Sequence, residues 1–168
     1  MPTIRNTLLI AITIAVLTFS LNLSSCSHYK KVGNYYCSDL IDTIYGKNSL
    51  QFRKDDFSSY DIDKQYAIFI CGNQYVHPPA MYLAELFARE GGRVVEFLRI
   101  KLLEANEDLT IRDLVLVFVE MSRLKTYDVA SDDELMRLMT DRVEGMKDPD
   151  WKRIAEGRLI DIRKQGQK

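Results

Sequence analysis

The side chains with the most chemistry in this sequence are three cysteines, two histidines and an acidic stretch around residue 60. Cys37 and Cys71 lie 34 residues apart, on what read as separate helices. In an oxidising compartment they are a candidate disulfide, and loop-closure entropy makes such a bridge worth roughly 3–4 kcal/mol. The alternative is two buried thiols packing as small apolar residues. His77 is the one histidine inside the expected domain. It could serve as a general base beside Asp61, Asp63 or Glu85. Preceding Pro78 and Pro79, however, it sits on extended backbone at a helix start, where a cap or a surface contact is the simpler role, and we adopt that reading.

The remaining chemical patterns are incomplete. Asp55, Asp56, Asp61 and Asp63 suggest calcium, but the central glycine and the twelfth-position glutamate of an EF-hand loop are missing, so they read as a solvated loop with helix caps. No serine sits in a Gly-x-Ser-x-Gly elbow, and Gly91-Gly92-Arg93 lacks phosphate-loop spacing. The expectation is no enzyme, no cofactor and no metal. With Lys+Arg 23 against Asp+Glu 24, the formal charge is -1, which supplies no field for nucleic acid. Of 168 residues 46% are apolar and 28% charged, the balance of an ordinary folded domain.

Cys26 stands apart from the other cysteines. After Arg5 the chain is apolar from Leu8 to Leu23, interrupted mainly by Ser20 and Asn22, and the run ends Leu23-Ser24-Ser25-Cys26. About 16 residues is short for a membrane-spanning helix and suits the core of a signal peptide. The last four residues resemble the lipobox of bacterial lipoproteins: an aliphatic residue, two small ones, then the cysteine whose thiol takes up diacylglycerol. The resemblance implies a signal peptide over 1–25, lipidation at Cys26, and a bacterial envelope location. Ser27 follows the cysteine where an aspartate would resemble an inner-membrane retention signal, so the periplasmic face of the outer membrane is favoured in a Gram-negative cell.

These residues must be positioned by the rest of the chain. Residues 26–33 read as a lipidated tether and 34–168 as one helical domain, all-α, with about 6–7 helices. Helices are expected from Asn34 to Ile44, after Asp61, and over 79–90, 93–106, 110–125, 132–147 and from Pro149, with 47–60 as a loop. Thr110 to Asp113 and Ser131 to Glu134 read as N-cap patterns. Leu114 to Met121 is apolar nearly all round, which places it centrally in the core. Helices 79–90 and 93–106 are expected to form one hairpin, and 110–125 and 132–147 another. Such hairpins, starting about 31 residues apart, resemble a short HEAT-type α-solenoid; a simple bundle fits as well.

Aromatic residues crowd the first half of the mature chain, 11 of 16 falling between Tyr29 and Tyr82. Tyrosine buries area while keeping a polar tip, so Tyr66, Tyr75, His77 and Tyr82 are taken as a candidate binding face. The expected function is a non-enzymatic, membrane-anchored module that binds an envelope or periplasmic protein. Small helical proteins with a signal peptide and no catalytic motif resemble immunity-type inhibitors of periplasmic toxins. The alternative is an envelope assembly or maintenance factor contacting peptidoglycan or outer-membrane machinery.

Overall fold

The computed structural model describes residues 30–45 and 54–167, without the side chains of 42–45 and 54–56. The expected signal peptide over 1–25 and Cys26 lie outside the described residues. A small hairpin, β1 (Lys31–Val32) and β2 (Tyr35–Tyr36), comes first, with Lys31 opposite Tyr36 and Val32 opposite Tyr35. Gly33, at φ +58°, supplies the left-handed backbone at its tip, a conformation that costs a side-chain-bearing residue about 1–2 kcal/mol. Eight α-helices follow among the described residues: α1 (Cys37–Tyr45), α2 (Lys54–Ser59), α3 (Ile62–Tyr75), α4 (Tyr82–Ala88), α5 (Val95–Glu104), α6 (Asp108–Leu124), α7 (Asp133–Glu144) and α8 (Pro149–Gln165). The fold is all-α, as the sequence pattern implies, and none of the described helices is long and apolar enough to cross a membrane.

The helix starts show which local signals act. Asp148 receives the amides of Asp150 and Trp151, with Pro149 at the first helical position, where its missing N–H costs nothing. Asp61 caps α3 through the Lys64 amide at 2.8 Å. Two cap readings shift. The cap of α7 is Asp132, accepting from the Leu135 amide at 3.0 Å, rather than Ser131. Helix α6 begins at Asp108, and Thr110 is inside it; Glu107 occupies the cap position without a side-chain bond, so a search for a capping side chain lands too late.

Helix α6 is the centre of the fold. Leu114, Val115, Val117, Phe118 and Met121 are all fully buried, and α3, α4, α5, α7 and α8 pack around it. Its largest interface is with α8 and its next with α4. The expected hairpin of 79–90 with 93–106 is therefore not the main pairing: α4 turns its apolar side to α6, and the molecule is a bundle about one buried helix. Asp108 Oδ2 accepts the amides of Lys147 and Asp148 at 2.8 and 2.7 Å, joining the N-terminal ends of α6 and α8. Their C-terminal ends share a cavity, so the two run parallel with α7 returning between them.

Two further expectations are corrected. The loop over 47–60 contains α2, whose Phe57 is fully buried and meets Phe87 edge-on at 5.8 Å. Residues 30–33, expected as part of a tether over 26–33, belong to the folded body: Val32 is in the core and the Cys37 amide bonds the Lys30 carbonyl at 3.0 Å. The first helix accordingly starts at Cys37 instead of Asn34.

Candidate functional site

The hairpin and α1 are fastened to the helical body at several points. Cys37 and Cys71 form a disulfide with Cα atoms 5.3 Å apart, tying the start of α1 to α3. Lys30 Nζ lies 2.6 Å from Glu107 Oε1, tying the segment before β1 to the start of α6. The bond to Glu107, helped by Tyr75, holds the Lys30 ammonium above its ordinary pKa. Beside this clasp is a groove of about 460 Å³ whose walls include Val32, Tyr66, Ile70, Lys101, Glu104 and Ala105.

The four residues expected to form one binding face differ in their surroundings. Tyr66 is half-buried in that groove, its ring edge-on to Phe97 at 5.8 Å with the Lys101 ammonium 5.7 Å away. Burial first, then the nearby Glu104, Asp113 and Glu107, pushes its hydroxyl up to about 12, so it stays a neutral hydrogen-bonding group. Tyr75 serves Lys30. His77 is exposed in the connection between α3 and α4, and Tyr82 is exposed at the first position of α4. There His77, Pro78, Pro79, Met81 and Tyr82 all face solvent, with Met81 39% and Tyr82 45% exposed. Ala80 alone turns inward, its amide bonding the Gly72 carbonyl at 3.1 Å, which fixes the connection against α3.

The acid–base pairing considered for His77 is not assembled. Asp61 and Asp63 sit at the start of α3 and His77 beyond its end, with 14 helical residues, about 20 Å, between them. Glu85 is engaged by Arg89 and Arg123. Among the described residues no group of three or more His, Cys, Asp or Glu side chains is placed to hold a metal. Asp55 and Asp56 have no described side chains.

Two polar clusters escape the sequence reading. Asp113 is 0% exposed; its Oδ1 accepts from Arg112 Nε and Nη2 at 2.9 and 2.6 Å, and its Oδ2 accepts from Gln74 Nε2 at 3.1 Å. Arg112 lies 4.3 Å from the Trp151 ring, and Arg158 Nη1 donates to the Arg112 carbonyl at 2.6 Å. Burial pushes the Asp113 carboxyl up, against the pull of Arg112. A carboxylate sealed and bonded in this way cannot reach a substrate; with Arg112 it joins α3, α6 and α8. The apolar surroundings of Arg112-Asp113 in the sequence were the available signal, since charges in such a run are buried only when paired.

The second cluster closes the far end. Asp132 Oδ2 accepts from Tyr127 Oη at 2.6 Å and Arg99 Nη2 at 2.7 Å. Burial alone would push its carboxyl up, but Tyr127, the Leu135 amide and Arg99 together hold it below the usual carboxylate range. Nearby, Ser122, Arg123, Lys125, Tyr127, Asp128 and Gln165 line a cavity of about 580 Å³. Gly166 also borders it; a Cβ there would come within 2.3 Å of Ala130 Cβ, so only glycine lets α8 end against residue 130. No protein-family model, curated protein sequence or solved structure matches this chain.

Proposed function

We propose that this chain is a bacterial lipoprotein, anchored through acylated Cys26, that works without catalysis by binding another envelope protein through the connection between α3 and α4. The observation that carries the binding surface is the connection itself. Five side chains, His77, Pro78, Pro79, Met81 and Tyr82, are presented to solvent on backbone held by the Ala80–Gly72 bond and by α4 against α6. A preformed apolar and aromatic surface loses little conformational freedom on binding, which is what a protein contact of useful affinity needs. The Cys37–Cys71 bridge supports an oxidising compartment, and the lipobox residues support the anchor.

An immunity-type inhibitor and an envelope assembly factor both fit this description. Sugar stacking on Tyr66 is disfavoured, because Phe97 and Lys101 already occupy its ring. The test is capture of partners from envelope extract with the oxidised, full-length protein and with Met81→Asp/Tyr82→Asp. A stoichiometric protein held by the wild type and lost from the double variant supports the reading. Equal capture by both would place the contact elsewhere.

A further inference from the structure

We infer that the hairpin face is the surface that rests on the bilayer, with Lys31 and Tyr36 seated among phospholipid headgroups. The inference rests on acylation of Cys26, as proposed above. Lys30 is fixed to the body by Glu107 and by the Cys37 amide, and only Ser27, His28 and Tyr29 separate it from Cys26. Whatever their conformation, four residue steps span at most about 14 Å. The hairpin is thus held within headgroup reach of the lipid.

Its side chains suit that layer. Lys31 and Tyr36 are cross-strand partners, the ammonium 5.4 Å from the ring centroid, and Tyr36 is 44% exposed. An amphipathic ring beside a long-stemmed amine is what the membrane–water interface accommodates, the ring at headgroup depth and the ammonium on phosphate. Lys30 and Lys101 on the same side are paired with Glu107 and Glu104, whereas Lys31 has no ion-pair partner among the described residues. Glu107 marks the start of α6, whose 17 residues run about 25 Å to the cavity at its other end.

The test uses the full-length acylated protein in vesicles of mixed zwitterionic and anionic phospholipid. Tyr36→Trp and Lys164→Trp are each made with Trp151→Phe, so that the chain keeps one tryptophan, and are read with lipids brominated near the carbonyl end of the acyl chains. The expected result is quenching several-fold stronger at 36 than at 164, weakened at 36 when Lys31→Glu is added. In the wild type, amide hydrogen exchange over 31–36 should slow on vesicles relative to Cys26→Ala in solution. Equal or reversed quenching, or unchanged exchange over 31–36, in a protein that still floats with vesicles overturns this orientation and leaves the anchor standing. Failure to float overturns both.

Discussion

At its N-terminal end α6 is clasped by the Lys30–Glu107 pair, by Asp108 receiving two amides, and, through α3, by the Cys37–Cys71 bridge; at its C-terminal end it opens onto a cavity of about 580 Å³. The charges differ as well. Glu107, Asp108, Asp148 and Asp150 gather where α6 and α8 begin together, and Arg123, Lys125, Arg163 and Lys164 where they end. Parallel helices add their dipoles, so acids belong at the shared positive end and cations at the shared negative one. One end is closed by cross-element bonds and the other is open.

Changes along α6 test this division, beginning with the helix both ends share. Phe118→Ala empties a fully buried site and should cost about 3–5 kcal/mol in urea unfolding, loosening both ends together. Cys37→Ser with Cys71→Ser should cost about 3–4 kcal/mol, because the bridge closes a loop of 34 residues. Hydrogen exchange should then rise over 30–45 while α7 and α8 remain protected; uniform loosening would mean that the clasp is not local to its end. Asp132→Ala removes a cap and two side-chain bonds at the far end, and a loss of roughly 1–3 kcal/mol is expected there.

Proton linkage distinguishes buried Asp113 from partly buried Asp132. Asp132 is held below the ordinary carboxylate range, so its stabilisation is complete above that range and is lost as pH falls through its lowered value. The wild-type advantage over Asp132→Asn should vanish in acid. For Asp113 the sign reverses: its raised value means a contribution present in acid and lost as pH rises through that value. Urea midpoints of the wild type, Asp132→Asn and Asp113→Asn across pH 3 to about 7 would check both signs. The smallest effect is expected at Lys125, whose φ of 56° places it in left-handed backbone at the end of α6. Lys125→Gly should stabilise by about 1 kcal/mol, the usual relief at such a cap.

Much of the helical architecture is legible in the residues. Pro149 after Asp148, and the all-round apolar stretch from Leu114, announce the last helix and the central one because caps and periodicity are local properties. What was missed is non-local. Strands of two residues, such as Lys31–Val32, have no period to detect, so the hairpin reads as tether. Helix α2 carries one buried aromatic in a polar run, and Phe57 packs against Phe87 from α4, a contact between distant positions. Candidate site residues fared similarly: the Cys37–Cys71 pairing was foreseeable as a possibility of chemistry, while the separation of Tyr66 from His77 and Tyr82 depends on how α3 and α4 pack. The Asp113 network joins residues up to 46 positions apart, as in the Arg158 bond to Arg112, and spacing does not encode that.

We propose a helical body fastened to a lipid anchor through its hairpin end. The most direct test is mass spectrometry of the N-terminal peptide from protein expressed in a bacterial envelope. The expected result is a chain beginning at Cys26 with diacylglycerol on its sulfur. A peptide that begins elsewhere, or one that keeps residues 1–25 with an unmodified Cys26, would contradict it.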